Sequence, residues 1–273
     1  NPSSFIGDVD VEYKLNTENF ISILITNYNK ENFLEKSLHA ACNQNFQNYE
    51  IILFDDCSKD NSIEIIKRFK KIKIKNNHSK KKKSGALSQI NGIIECFKKS
   101  KGNIICLLDA DDYFKKNKLK TVDQYFKDNR KLDCLFDIPI HDSKQFYLKK
   151  KSKNYSIWET IFPTSCISVR RNFFTNFLRN INKNNFSHLE IDARLSIFSK
   201  FYMNEGHILN KKITKYNYDY NGITANIKKY SSKWWIRRSE AFTYLRIIMK
   251  KKKTPFVSSF DYCLTNFFSI LLK

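Results

Sequence analysis

The sequence predicts an α/β fold: a doubly wound, mainly parallel sheet with helices on both faces, followed by a C-terminal helical extension. Between residues 21 and 108, short apolar runs alternate with segments whose apolar residues recur at helical spacing. Strands that alternate with helices pair in parallel, because each helix carries the chain back along the sheet. The carboxyl ends of such strands meet at one edge, where ligands usually bind.

The first part of the chain supplies four strands and three helices in alternation. The run 21–26 is rich in β-branched residues, as strands are, and the segment 60–62 offers side chains that can cap a helix. Gly102 ends the third helix just before a long apolar run. The predicted strands are 21–26, 49–56, 71–75 and 103–108, and the predicted helices are 30–42, 62–70 and 86–99.

The second part is less regular, and its last segment differs in composition. After Gly222 the chain holds two of its three tryptophans and a run of four lysines. We therefore predict three regions: a tail at 1–19, the α/β domain at 20–228 and a basic, aromatic helical extension at 229–273. The remaining predicted elements are helix 119–126, strands 132–138 and 164–170, and helices 172–180 and 188–202.

The composition is that of a folded protein with a large excess of positive charge. Lys and Arg number 49 against 27 Asp and Glu, which gives a formal net charge of +22. This charge favours phosphorylated substrates, anionic lipids or other polyanions, without choosing among them. The seven cysteines follow no metal-binding or redox spacing, and no apolar stretch is long enough to cross a bilayer. We expect a protein of the cytoplasm, or one on a membrane face.

Acidic residues close two of the predicted strands. Asp55 and Asp56 follow one apolar run, while Asp109, Asp111 and Asp112 follow another. Three carboxylates within four positions repel one another unless a cation or donor groups balance them. Such a cluster suits a hard divalent metal, and a phosphate ligand carried on that metal. A single acidic residue after a strand is often only a helix cap, so a structural role for Asp55 stays open.

Three segments together resemble the ordered signature of family 2 glycosyltransferases. They are Ser22 to Asn29, the Asp55-Asp56-Cys57-Ser58 stretch with Asp60, and Leu108-Asp109-Ala110-Asp111-Asp112. The resemblance covers about 21–113 well. Beyond that it thins, although 190–194 is similar to the segment where inverting members hold a catalytic base, and 158–171 looks like the acceptor-side strand. The resemblance implies the GT-A fold of nucleotide-diphospho-sugar transferases.

The resemblance implies a metal and donor site at the acidic cluster. Asp112 is the first candidate for a direct ligand of Mg²⁺ or Mn²⁺, with Asp111 beside it. Asp109 and Asp111 would also hold the ribose and sugar of the donor. A bound divalent cation neutralises the charge that develops on a leaving diphosphate.

The same resemblance implies a nucleotide pocket and a catalytic base. Asp56 would accept a hydrogen bond from the nucleotide base, in a pocket that Thr26 and Tyr28 line. Asp192 would take the proton of the acceptor hydroxyl, and a single displacement would invert the anomeric configuration. The alternative for Asp192 is an exposed helical carboxylate paired with Arg194 or Lys200.

The function that follows is an inverting, metal-dependent glycosyltransferase. Its donor would be a nucleotide diphosphate sugar, with a UDP-sugar as the first candidate, and its acceptor a bacterial surface glycan or a lipid-linked precursor. The alternative is a non-catalytic basic protein that binds nucleic acid or membrane on a transferase-like core. No nucleic-acid partner is expected, because the charge comes without a recognised nucleic-acid-binding motif. The extension at 229–273 either contacts anionic membrane or packs on the core.

Overall fold

A computed structural model describes residues 18–77, 84–141, 157–158, 161–181, 185–203, 206–217, 219, 222–223 and 227–271. All but the last two positions of the predicted tail at 1–19 lie outside these ranges. The strands are β1 (Ile21–Asn27), β2 (Tyr49–Asp55), β3 (Ile72–Asn76), β4 (Ile104–Asp109), β5 (Tyr113–Phe114), β6 (Cys134–Ile140), β7 (Ile167–Arg170) and β8 (His207–Lys215). The helices are α1 (Glu31–Cys42), α2 (Ser62–Lys67), α3 (Gly85–Lys99), α4 (Lys118–Asp128), α5 (Arg171–Asn180), α6 (Ile191–Ile197), α7 (Ser232–Lys252) and α8 (Phe260–Leu271).

The strands form one mixed sheet in the order β3-β2-β1-β4-β7-β6-β8-β5. The first four neighbours, β3 to β4, pair in parallel, and β6 pairs with β8 in parallel. Antiparallel pairing joins β7 to β4 and to β6, and β5 to β8. The parallel half is therefore the part in which strands alternate with helices along the chain, as the sequence predicts.

Each face of the sheet is covered by its own layer of helices. One hydrophobic core joins the sheet to α1, α2 and α4 through side chains such as Leu38, Ile66 and Val122. The other core joins the opposite face to α3, α5 and α6 through side chains such as Ile93 and Phe174. The prediction of a mainly parallel sheet with helices on both faces is confirmed.

Three details of the second half differ from the prediction. The strands β5 and β8 were not predicted; in β8 most side chains are exposed and several are lysine, so its sequence lacks a strand pattern. The predicted strand 164–170 begins with a 3₁₀ turn, Thr164–Cys166. The predicted helix 188–202 begins at Ile191, and after Ile197 it continues as the π-helical segment Phe198–Met203.

The extension forms a hairpin of two helices on the side of α6. A third core unites α7 with α6 and the segment before it, through buried side chains that include Leu189, Ile197 and Leu245. The helix α8 packs on α7, where Phe268 stacks on Trp235 with ring centroids 4.6 Å apart. Of the two arrangements predicted for the extension, α7 therefore adopts the one that packs on the core. In the described ranges no helix is both long and apolar enough to cross a membrane.

Candidate active site

The register of the parallel strands brings the predicted donor residues to one edge of the sheet. Thr26 in β1 lies opposite Asp109 in β4, and Asn27 lies opposite Asp55 in β2. The turn after β4 is fixed by backbone bonds, because Ala110 N–H donates to the carbonyl of Thr26 at 3.2 Å. Two acidic segments that are more than fifty residues apart in sequence thus meet at neighbouring strand ends.

Asp55 has a structural role. Its carboxylate is 1 % exposed and accepts hydrogen bonds from the side chain of Asn27 at 2.7 Å and from the backbone and hydroxyl of Ser58 at 2.9 and 2.7 Å. These donors satisfy both oxygens. Asp55 therefore orders the loop after β2 and leaves no oxygen for a ligand.

The predicted nucleotide residues line the open end of β1 and β2. Tyr28 is half exposed, and Asp56 is partly exposed next to it along this edge. The Asp56 carboxylate accepts a hydrogen bond from the side chain of Asn77 at 2.5 Å, and the Asp56 N–H donates to the Asn27 carbonyl at 2.9 Å. An aromatic ring and an oriented carboxylate at one strand edge form a surface on which a flat base could stack and be read.

Asp109 and Asp112 are held by a shared hydroxyl. Ser165 donates its hydroxyl to Asp112 Oδ2 at 2.6 Å and accepts from the Asp109 N–H at 3.0 Å. The other oxygen of Asp112 accepts from the backbone N–H of Asn217 at 2.9 Å. Gln89 donates to Asp109 Oδ1 at 2.9 Å, and Thr26 donates to the same oxygen at 3.4 Å. Asp112 is therefore buried with both oxygens already bonded.

The carboxylate of Asp111 forms an ion pair with the ammonium group of Lys30. Lys30 Nζ donates to Asp111 Oδ2 at 2.6 Å and also pairs with Asp219. Both carboxylates keep some solvent exposure, unlike Asp112. Burial lowers the pKa of Lys30, but the charges of Asp111 and Asp219 outweigh that effect, so its pKa is raised overall. The Lys30 ammonium therefore balances part of the acidic cluster.

The cluster carries more negative charge than its protein neighbours compensate. Burial raises the pKa of Asp109 to about 6, with the charge of Asp111 adding to the effect. The pKa of Asp112 is raised well above its ordinary value by burial and then by Asp111 and Asp109. Burial raises the pKa of Tyr216, and the negative charges of these carboxylates raise it further. A further cation at this edge would relieve the repulsion.

Asp192 lies in the same electrostatic environment. It stands in the first turn of α6 and accepts a hydrogen bond from the Ala193 N–H at 2.6 Å. Burial raises its pKa to about 7, with Glu190 contributing and Asp109 adding a smaller share, while Arg237 acts in the opposite direction. A carboxylate with a pKa near neutrality is suited to take up a proton from an acceptor hydroxyl. The alternative pairing with Arg194 is not formed, because the Arg194 guanidinium donates to backbone carbonyls of residues 185, 186 and 189.

The extension supplies part of the surroundings of Asp192. Arg237 in α7 donates to Glu190 Oε2 at 2.8 Å, and both side chains are largely buried. Glu240, one turn further along α7, accepts from the backbone N–H of His188 at 2.8 Å. These contacts fix the loop before α6, so the helix that holds Asp192 is anchored by a segment predicted as a separate region.

The residues present fit a divalent cation held mainly by substrate. Within the described part of the chain, no three His, Cys, Asp or Glu side chains converge as a ready-made metal cage. Mg²⁺ is commonly bound by one or two carboxylates together with substrate phosphates and water, and does not need such a cage. The partly exposed carboxylate of Asp111 is a more accessible oxygen ligand than the buried carboxylate of Asp112.

Several residues of the site were not predicted from the sequence. Lys30 lies just before α1 and Gln89 lies in α3, two helices that were predicted, but nothing in a lone lysine or glutamine marks it as part of a site. Tyr216 and Asn217 follow β8, a strand that was not predicted, so neither could be placed. Arg237 could have been found only from the contact between α7 and α6.

Comparisons with known proteins agree with this geometry. Among solved structures, Staphylococcus aureus TarS 1-349 in complex with UDP superposes with a TM-score of 0.64 and 13 % identity, covering 93 % of this chain and 70 % of that one. A Pyrobaculum calidifontis mannosyltransferase in complex with GDP-Man and Mn²⁺ gives 0.56 and 12 %, covering 93 % of this chain and 70 % of the other. At these identities the likeness concerns the fold, and it confirms the fold class.

Sequence relatives point to the same group of enzymes. A Bacillus subtilis protein described as a putative teichuronic acid biosynthesis glycosyltransferase is 29 % identical over 106 residues, 38 % of this chain and 41 % of that protein. An Escherichia coli glucosyltransferase, WfaP, is 36 % identical over 102 residues, 36 % of this chain and 38 % of its own. The chain spans less than half the length of the curated relatives it matches. Residues 22–201 match the description "Glycosyl transferase family 2", and the chain therefore belongs to that glycosyltransferase family.

Proposed function

We propose that this protein transfers a sugar, with inversion, from a nucleotide diphosphate donor to a hydroxyl of a bacterial surface glycan or its lipid-linked precursor. The observation that carries the proposal is that the acidic turn 109–112 follows β4 at the carboxyl edge of the sheet, and that the charge of Asp109 in this turn acts on the separate carboxylate Asp192 of α6. Asp192 feels the charge of Asp109 and has a pKa of about 7. The site thus offers carboxylates for a donor and one further carboxylate for proton transfer.

The donor is proposed to be a UDP-sugar. Support comes from structural neighbours, since TarS was solved with UDP and with UDP-GlcNAc. Asp56 and Tyr28, with the backbone of Thr26, would receive the nucleotide base, and Asp109 and Asp111 the ribose and sugar. The acceptor is proposed by analogy with the relative WfaP, a UDP-Glc:alpha-D-GlcNAc-diphosphoundecaprenol beta-1,3-glucosyltransferase.

A divalent cation, Mn²⁺ or Mg²⁺, is proposed as the cofactor. When bound it would act as a Lewis acid on the departing diphosphate. The sequence ranked Asp112 first and Asp111 second as ligand, and we now propose the reverse order. Asp112 is buried with both oxygens hydrogen-bonded, whereas Asp111 is partly exposed and a metal would have only the Lys30 ammonium to displace.

The proposed location is the cytoplasm or the inner face of the cell membrane. Buried free thiols such as Cys96 and Cys106, whose pKa values are raised by burial, are typical of a reducing compartment. A peripheral contact with anionic membrane would bring the enzyme to a lipid-linked acceptor. The alternative, a non-catalytic basic binding protein, does not account for the negative charge gathered at the acidic turn and at Asp192.

Donor hydrolysis and transfer test the proposal. Purified protein is incubated with Mn²⁺ and a panel of nucleotide sugars, and release of nucleotide diphosphate is measured for the wild type, Asp111→Asn and Asp112→Asn. We expect metal-dependent release that Asp111→Asn abolishes, while Asp112→Asn lowers it and also lowers the melting temperature, because Asp112 orders the turn. Release that is indifferent to metal and to Asp111→Asn would remove the proposed mechanism.

The base is tested separately with Asp192→Asn. The amide is isosteric but cannot accept the proton, so transfer to the acceptor should fall by about 10²-fold or more. Donor binding, followed by calorimetry, should stay close to wild type, because Asp192 lies on the acceptor side of the proposed site. Retained transfer would refute the role of Asp192 without touching the donor site.

A further inference from the structure

The helix α8 turns its polar residues inward and its apolar residues outward. Thr265 and Ser269 are 0 % and 5 % exposed, whereas Phe260 is 82 % and Phe267 61 % exposed. Residues three or four positions apart in a helix lie on one side, so the apolar side chains form one continuous stripe. We call this stripe the α8 outer face; it consists of Phe260, Leu264, Phe267, Ile270 and Leu271.

The inner side of α8 is fixed by specific contacts, so its orientation is well defined. Asp261 accepts a hydrogen bond from the indole of Trp158 at 2.9 Å and pairs with Arg238. Thr265 accepts from the Arg238 guanidinium at 3.4 Å. Together with the stack of Phe268 on Trp235, these contacts leave the outer face no route to burial within the hairpin.

Positive charge lies at one end of the outer face. The contacts of Asp261 with Arg238 and of Phe268 with Trp235 show that α8 runs antiparallel to α7. The end of α8 therefore approaches the start of α7, beside exposed Lys228, Lys229 and Lys233, while its beginning lies beside the middle of α7, where Tyr262 contacts Phe242. Between residues 227 and 271 the sequence holds ten Lys and Arg against two acids.

Neither acid of this segment offsets that charge at the surface. Glu240 is engaged with the backbone of His188, and Asp261 with Arg238 and Trp158. An apolar stripe with exposed lysines at one end matches a surface with an apolar interior and anionic head groups. A second copy of the chain would bring together two segments of the same net positive charge, which disfavours self-association through this face.

We propose that the α8 outer face docks on anionic phospholipid. Its phenylalanine and leucine side chains enter the interface between head groups and acyl chains, and the flanking lysines contact the phosphates. This inference identifies the surface for the membrane contact in the proposed function. It does not depend on the transfer reaction, because its test measures binding to vesicles.

The experiment measures binding of the full chain to vesicles by flotation. Vesicles of phosphatidylcholine alone are compared with vesicles that contain one third phosphatidylglycerol, for the wild type and for Phe260→Ser/Phe267→Ser. A matched control, Ile74→Ser, removes an exposed apolar side chain from the edge strand β3. Donor hydrolysis and the melting temperature of each variant show whether the fold is retained.

We expect the wild type and the control to bind the anionic vesicles, with less binding as salt rises. The double variant should bind at least about tenfold more weakly while its hydrolysis is unchanged, since two phenylalanines supply much of the apolar area. Equal binding by the double variant, or binding that ignores phosphatidylglycerol, would overturn the proposal. So would light scattering that shows a wild-type dimer which the double variant converts to monomer.

Discussion

At the scale of single residues, Lys30 is the side chain whose role the structure changes most. Its ammonium pairs with Asp111 and with Asp219, on the side of the acidic turn that is open to solvent. A divalent cation and an ammonium ion cannot both be closest to one carboxylate without repelling each other. The protein's own cation and the proposed metal would therefore compete for Asp111.

The substitution Lys30→Met tests this competition. Removal of the ammonium should strengthen Mn²⁺ binding in the absence of donor by about tenfold, because one positive charge a few ångströms from the metal is lost. Binding is measured by electron paramagnetic resonance of free Mn²⁺, which needs no catalysis. Lys36→Met, on the same helix but over the ring of Tyr113, is the matched control and should leave Mn²⁺ affinity unchanged.

Asp192 should set the acid limb of the pH profile. Its raised pKa of about 7 means that the carboxylate is protonated, and unable to act as base, below that pH. We expect kcat/KM for transfer to fall as the pH drops through about 7. A profile that is flat from pH 8 down to pH 5 would argue against Asp192 as the base.

Two neighbours of Asp192 should move that limb in opposite directions. Glu190→Gln removes a negative charge, so the pKa of Asp192 falls and activity extends to lower pH. Arg237→Gln removes a positive charge, so the pKa rises and the limb shifts to higher pH. A loss of stability alone would lower the rate at every pH without shifting the pH at which activity falls. Neither residue is among the groups that shift the pKa of Asp109.

At the scale of elements, the close packing of α3 on the sheet supports the donor edge. A Cβ atom at Gly92 would come within 2.7 Å of Phe54 Cδ1 and 3.0 Å of Thr26 Cγ2. Phe54 is buried and cannot withdraw, and Thr26 lines the proposed nucleotide pocket. The helix can approach the sheet at this point only because residue 92 has no side chain.

Gly92→Ala should therefore lower the free energy of unfolding despite the better helix propensity of alanine. Overpacking costs about 1–3 kcal/mol, against about 1 kcal/mol gained in propensity, so a net loss of about 1 kcal/mol is expected. Urea denaturation measures it, and the KM for donor should rise because Thr26 is displaced. The exposed Lys99→Ala, on the same helix, should change stability by less than about 0.5 kcal/mol.

The elements also show what a single sequence can and cannot reveal. The parallel strands β1, β2 and β4 are largely apolar runs, and acidic residues close β2 and β4, so both the strand positions and the donor edge could be predicted. The strand β8 is polar along most of its length, because only part of one face is buried. The carboxylates supplied by strand ends were thus visible, whereas Tyr216 and Asn217, which β8 positions, depend on tertiary contacts that no local pattern encodes.

At the scale of the whole molecule, the predicted boundary near residue 228 separates segments that share a core. The third core places Leu245 of α7 against the residues around α6, and Leu245 is 2 % exposed. Helices joined by such a buried layer usually unfold together with the domain they cover. The extension should therefore behave as part of the catalytic domain in unfolding experiments.

Leu245→Ala tests this cooperation. The cavity should lower the free energy of unfolding of the whole domain by about 2–5 kcal/mol, and the loss of donor hydrolysis on heating should shift with it. Ile247→Ala, two positions away and on the exposed side of α7, should change stability by less than about 0.5 kcal/mol. A separate low-temperature transition, with unchanged heat resistance of hydrolysis, would show that the extension unfolds independently.

The contact between Arg237 and Glu190 also has a consequence for biosynthesis. A ribosome completes the eight strands of the described sheet before it reaches α7, because Arg237 follows β8 by more than twenty residues. Until α7 emerges, the nascent chain holds Glu190 and Asp192 without the arginine that balances them and without the buried layer that covers α6. The emerging enzyme would thus bind its metal and nucleotide through an edge made early, and gain a competent proton acceptor only when α7 arrives.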